Sequence, residues 1–219
     1  MKIDIFNHVM PVPYLDMMKL HLKDPGILKR MSNLRMLWDI EARVQMLDEK
    51  FPDVQQVLTL SLPSPELLGG PELAPELARI ANDGMAGMTA KWPKKFPAFV
   101  ASLPMNNVPA ALEEMDRAIG KLEARGVQIC TSVNGRPLDE PEFFPVFERA
   151  TRKHDVPIWM HPARRRPART TWASRNRNTK SGRCSAGRSR RAWPCRASCS
   201  RGCSKSSPES ASSPTTAAP

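Results

Sequence analysis

No stretch of the 219-residue chain approaches eighteen consecutive apolar residues, which excludes an ordinary membrane-spanning helix and a membrane partner. The N-terminus lacks a basic region followed by a long apolar segment, so no secretory signal is read and the cytoplasm is the expected compartment. Paired C-x-x-C knuckles are absent. Cys130 stands alone, and Cys184, Cys195, Cys199 and Cys203 follow a spacing that fits neither a zinc ribbon nor, without secretion, a disulfide framework. "LGGPE" (68–72) is followed by no Lys-Ser/Thr pair, so it reads as a turn rather than a phosphate loop. Imidazole chemistry is confined to four histidines: His8, His21, His154 and His161.

The most informative absence is regional. From Arg164 to Pro219 there is no Leu, Ile, Val, Met, Phe or Tyr at all. Such a segment cannot bury enough apolar surface to offset the entropy of ordering it, and disorder is the expectation. The same 56 residues hold fourteen of the 33 Lys and Arg and a single acid, Glu209, for a net of +13. The remainder carries 19 basic and 21 acidic groups, so the overall +11 belongs entirely to the tail and the body is near neutral. Two regions are therefore expected, a folded body over 1–164 and a basic Ser/Arg/Pro/Ala-rich tail over 165–219.

What is present in the body alternates. Residues 2–9 ("KIDIFNHV") read as a strand, and 11–22 as a helix with Tyr14, Leu15, Met18 and Leu22 on one face and prolines at its start. Residues 38–51 form an amphipathic helix through Ile40, Val44 and Leu47, followed by a buried strand over 54–62. Further helices are expected over 71–93, over 108–126 with Gly126 ending it, and over 141–155. Strands are expected over 96–104, 127–133 and 156–162, with "NGRPLDEP" as a loop. Five β-then-α steps imply parallel strands joined by crossover helices, in a (β/α)8 barrel or a doubly wound sheet.

In both architectures chemistry collects where strands pass into their following loops. His8 and His161 occupy such strand ends, while His21 and His154 fall on helices and read as solvent-facing or helix-terminal residues. A strand-end histidine is either a hydrogen-bonded structural residue or a metal ligand, and spacing alone leaves both open. Asn134 and Arg136, in the loop after the fourth strand, and Arg164, after the fifth, are candidates for holding a substrate carboxylate, since arginine binds one bidentately. A solvated loop charge is the plainer alternative for each. Asp39 and Glu41 begin a helix, where acidic groups favour the dipole, and no chemistry is assigned to them.

"IDIFNHVMP" (3–11), "VPAALEEMDRAI" (108–119) and "VNGRPLDEPEFFPVFERATRKHDVPIWMHPAR" (133–164) together resemble the amidohydrolase family, in its aminocarboxymuconate-semialdehyde decarboxylase-like branch. The resemblance covers residues 1 to about 164 and is most specific over 134–164. It implies the first five strands of a metal-dependent TIM barrel, and an enzyme that decarboxylates or hydrolyses a small carboxylic acid, a carboxy-lyase or hydrolase. It also implies a divalent metal, with zinc the expected ion. The family places an H-x-H pair at the end of strand 1, matched here by Phe6 and His8, and a histidine at the end of strand 5, matched by His161. The usual strand-6 histidine and strand-8 aspartate have no counterpart. The expected metal ligands are therefore His8 and His161, two where a catalytic site normally uses three, so weak binding and impaired or absent activity are expected. No residue is assigned a proton-transfer role, and the oligomeric state, homo-oligomer included, is left open.

The body stops resembling the family where its composition changes, which is the pattern of a shifted reading frame. Regrouping codons one nucleotide earlier turns "TTWAS" (170–174) into a permitted Asp-Tyr-Leu-Gly-Glu and "SSPTTAA" (212–218) into Ile-Ile-Thr-His-His-Cys-Gly. The nucleotide sequence decides this. The competing readings are a non-catalytic remnant and a binding protein whose basic tail contacts nucleic acid. Fourteen cations on a flexible arm would bind phosphate without specificity, because no folded recognition motif accompanies them.

Overall fold

Strand β1 (Lys2–Val9) runs parallel to β2 (Val54–Leu60), from Lys2 opposite Val54 to Val9 opposite Leu60. These assignments come from a computed structural model, which describes residues 1–163. The pairing slips once, because Asp4 faces Gln56 while Asn7 faces Leu58, leaving an extra residue on β1. The Asp4 carboxylate secures this bulge by accepting from the Phe6 N–H at 3.2 Å and from Asn7 Nδ2 at 2.7 Å. A bulge bends and twists its strand, and this one lies just before His8.

The expected third strand is one extended run that changes partners midway. Its first part, β3 (Ala98–Phe99), pairs with β2, and its second, β4 (Ala101–Ser102), pairs with β5 (Val127–Cys130). Val100 links them, donating its N–H to Leu58 O at 2.8 Å, while Ala101 N–H turns the other way to Gly126 O at 2.9 Å. A short hairpin, β6 (Ser132–Val133) with β7 (Arg136–Pro137), replaces the expected plain loop. Its turn residues Asn134 and Gly135 both have positive φ, 51° and 89°, which is the asparagine–glycine signature of a tight hairpin. The fifth parallel strand is β8 (Ile158–His161), paired with β5 from Val127–Ile158 to Cys130–His161.

Strand order thus follows chain order, and every ladder among the five main strands is parallel. A doubly wound sheet reverses its order at a switch point. Sequential order instead belongs to a (β/α) barrel, and this decides between the two architectures.

Helices cover the outer face. α1 (Val12–His21) buries Tyr14, Leu15 and Met18 as its periodicity predicts. The segment after it, unassigned from sequence, holds α2 (Pro25–Asn33), capped by Asp24, and the single turn α3 (Arg35–Trp38). α4 (Ile40–Lys50) is capped by Asp39, whose side chain accepts from the Ala42 N–H at 3.0 Å, in keeping with a purely structural role for that acid. α5 (Pro65–Leu68) is a short turn after β2, and α6 (Ala74–Lys91) and α7 (Val108–Leu122) are the long crossover helices. The expected single helix over 141–155 is instead a 3-10 turn (Pro141–Phe143), α8 (Phe144–Glu148) and a π-helical turn (Arg149–Lys153). Pro145 has no N–H for the bond back to Pro141, so a regular helix cannot run through it.

α7 also stops earlier than expected. It ends at Leu122, with Glu123 rather than Gly126 in the left-handed conformation, φ 60°. Gly126 serves a different purpose. A Cβ there would lie 2.6 Å from Trp159 Cζ3 and 2.7 Å from Pro157 O, so only glycine lets β5 approach β8 at this point.

Between α6, α7 and the sheet lies a buried polar network. Asn82 accepts the Ser102 N–H at 2.8 Å and donates to Ser102 O at 3.0 Å and Glu114 Oε1 at 2.7 Å. Glu114, 2% exposed, takes two further bonds from Arg117 at 2.8 Å each, and Arg117 reaches on to Asp83 at 2.6 Å. Asn82 thus ties a helix to a backbone strand position that would otherwise be unsatisfied.

Candidate metal centre

The parallel ladders carry His8 and His161, from opposite edges of the five-strand array, to the same place. Their ring centroids are 5.0 Å apart. Phe6 completes the group, edge-on to His8 at 5.1 Å and stacked on His161 at 6.0 Å with 24° between the planes. The crossing is reinforced two residues before His161, where Trp159 Nε1 donates to Ile5 O at 2.8 Å. Sequence spacing picked out both histidines; only the closing curvature of the sheet makes them neighbours.

Burial pushes the His8 imidazolium down from 6.5 to about 4, helped by the neighbouring His161 and Arg43 charges and opposed by Asp4. Burial also lowers His161, against the bond from its ring to Pro162 O. Both rings are therefore neutral at pH 7 and can offer lone pairs. His161 Nδ1 lies 3.1 Å from Pro162 O, a group that can only accept, so Nδ1 holds the proton and Nε2 the lone pair. His8 engages the protein through Nδ1 as well, at 2.8 Å from Thr59 Oγ1.

A stability consequence follows from His8. In the unfolded chain it takes up a proton below about 6.5, but in the fold only near 4, so the unfolded state binds more protons between those values. The stabilisation is complete above 6.5 and is lost as pH falls toward 4. The unfolding midpoint of wild type should fall across this window more steeply than that of His8→Gln. Parallel pH profiles for the two would show that His8 is not held neutral.

The residues fit a divalent ion in part. Two imidazoles on one ion, each with its ring nitrogen about 2.1 Å from the metal, have centroids roughly 5 Å apart, as His8 and His161 do. Phe6 supplies no ligand. Among the described residues, no group of three or more His, Cys, Asp and Glu is placed to hold a metal. The described chain therefore offers half a centre.

Several supporting residues carried no sequence signal. Arg43, 6% exposed on α4, donates to His8 O at 2.7 Å, Met36 O at 3.1 Å and Gln56 Oε1 at 2.9 Å. It holds the strand that carries His8 from behind. Glu66 on α5 is 4% exposed, and burial raises its pKa, so the loop after β2 carries an interior carboxyl group. An arginine and a glutamate on helical turns look like surface charges in sequence, and only packing shows them inside.

The substrate candidates are dispersed. Asn134 sits exposed in the hairpin turn. Arg136 bonds Glu140 and Glu142 within its own loop and lies 5.1 Å over the Phe143 ring. Arg164 and the tail, on which the disorder, reading-frame and nucleic-acid expectations rest, lie outside the described residues. Of the other histidines, His21 ends α1, while His154 follows the π-helical turn and bonds Asp116 at 2.6 Å. His154 is helix-terminal as expected but is not turned to solvent.

A family model described as amidohydrolase matches residues 3–185. Among curated relatives, a 2-amino-3-carboxymuconate-6-semialdehyde decarboxylase of Dictyostelium discoideum is 34% identical over 57% of this chain and 34% of its own length. A gamma-resorcylate decarboxylase of Rhodococcus jostii is 31% identical over 63% of this chain and 44% of its own. The chain thus spans less than half the length of these two relatives. Among solved structures, a dihydroxybenzoic acid decarboxylase of a Polaromonas species, with bound manganese and 2-nitroresorcinol, superposes with a TM-score of 0.61. It is 26% identical, over 76% of this chain and 50% of that one.

Proposed function

Because this chain belongs to the amidohydrolase family, we propose that it is a metal-dependent carboxy-lyase barrel for small aromatic carboxylic acids, with its centre weakened by Phe6. The observation that carries the reading is the convergence of two neutral imidazoles at strand ends from opposite sides of the array. Hydrolysis is the alternative reaction on the same centre, but the matched relatives named above are decarboxylases, which favours carbon–carbon cleavage.

His8 and His161 would hold the ion. An ion held there would supply Lewis-acid stabilisation of developing negative charge. The other contributions are the chain's own. Phe6, 43% exposed, presents an apolar ring face beside the histidines, against which an aromatic acid can stack. Asn134, Arg136 and Arg164 are the candidates for holding the carboxylate, and Arg136 would have to exchange Glu140 and Glu142 for it. The ion is proposed as zinc or, as in the Polaromonas structure, manganese.

The test is metal analysis of the purified full chain, with binding of Mn²⁺ and Zn²⁺ and release of CO₂ from 2,6-dihydroxybenzoate, for wild type and His8→Gln. Weak metal binding that His8→Gln abolishes, with slow turnover rising on added metal, supports the reading. Metal binding unaffected by His8→Gln, or none at all, overturns it.

A further inference from the structure

The buried threonine facing His8 across the β1–β2 ladder has a definite chemical role. His8 and Thr59 are in-register partners, and Thr59 is fully buried. The Thr59 hydroxyl makes two contacts. Its oxygen is 2.9 Å from the Asn7 carbonyl oxygen and 2.8 Å from His8 Nδ1. A hydroxyl has one proton to give, and a carbonyl oxygen can only accept. The Thr59 proton therefore goes to Asn7 O, and the second contact must run from His8 to Thr59, with an N–H at Nδ1. We infer that Thr59 is a positioning residue that commits His8 to the tautomer with its proton on Nδ1 and its lone pair on Nε2.

The surroundings leave little freedom for another arrangement. Threonine is stiff at χ1, so its hydroxyl keeps its direction. Arg43 holds His8 O from the opposite side, which fixes the backbone from which the ring projects. In free histidine the proton favours Nε2, the nitrogen that here must remain bare to bind a cation. Outer partners of ligating histidines fix tautomer and ring orientation, and their loss weakens metal affinity about 10- to 100-fold. The consequence for metal rests on the proposed function; the tautomer does not.

The experiment separates the two. The metal-free full chain, labelled with ¹⁵N-histidine, is studied at neutral pH by long-range ¹H–¹⁵N correlation, with His8 assigned from its loss in His8→Gln. Wild type should show a protonated Nδ1 and a bare Nε2. Thr59→Val should shift His8 toward the Nε2-protonated form and weaken Mn²⁺ binding about tenfold or more, and Thr59→Ser should restore both. A proton on Nε2 in wild type, or an unchanged tautomer in Thr59→Val, overturns the inference. Should Thr59→Val fail to fold, Thr59→Ala removes the same hydroxyl and is read in the same way, with Thr59→Ser as its control. The expected tautomer in a protein that binds no Mn²⁺ leaves Thr59's role intact and sinks the metal reading alone.

Discussion

Phe6→His is expected to strengthen divalent-metal binding on the order of 100-fold. The Phe6 ring already lies 5.1 Å from His8 and 6.0 Å from His161, at the open corner of the group. An imidazole in its place would raise the number of proposed ligands from two to three, the number that catalytic zinc sites commonly draw from protein. Because Phe6 is 43% exposed, the exchange sacrifices little buried apolar surface and leaves the added ring partly solvated. Titration calorimetry with Mn²⁺ and Zn²⁺ measures the gain directly. A second readout is thermal stability, since an ion at about 100 times its dissociation constant adds about 2.7 kcal/mol to a fold that binds it. Unchanged affinity in a folded Phe6→His variant would mean that the three rings do not converge on one ion, and the centre drawn above would be wrong.

Arg117→Met should be among the most destabilising single substitutions, at about 3–5 kcal/mol. Glu114 is 2% exposed and receives two of its three close bonds from Arg117; its other basic neighbour, Arg79, is 3.7 Å away and largely in solvent. Removing the guanidinium strands a carboxylate in the interior beside Asn82, which in turn anchors Ser102. Against a typical total of about 5–15 kcal/mol, such a loss takes much of the stability. Pairing it with Glu114→Leu removes the stranded charge, so the double variant should recover part of the loss rather than add to it. Urea midpoints for the two singles and the double test this; strict additivity would show that the pair is not coupled.

The elements were legible in sequence to very different degrees. Strand 2–9 and the face of α1 are local patterns, set by alternation and 3.6-residue spacing, and both are present in the fold. The end of α7 is not where Gly126 suggests, because that glycine answers a steric demand from Trp159, 33 positions away. The hairpin at 132–137 had a local signal in Asn134–Gly135, a pair strongly disposed to tight turns, which reading the stretch as a loop passed over. The Asp24–Pro25 start of α2 was an equally local signal.

By itself the sequence determined the alternating β/α pattern and the strand-end positions of His8 and His161, which are read from residue type and short-range spacing, and the family, which is read from its motifs. That Phe6 stands where a ligand is expected is what the family resemblance implies. Tertiary structure alone decided that the sheet keeps chain order, that His8 and His161 face each other across 153 positions, and that Arg43 and Thr59 stand behind His8. The physical reason is the same throughout. Curvature and register of a parallel sheet bring distant positions together, and whether a charge or a hydroxyl is buried depends on what packs over it, which no local pattern records.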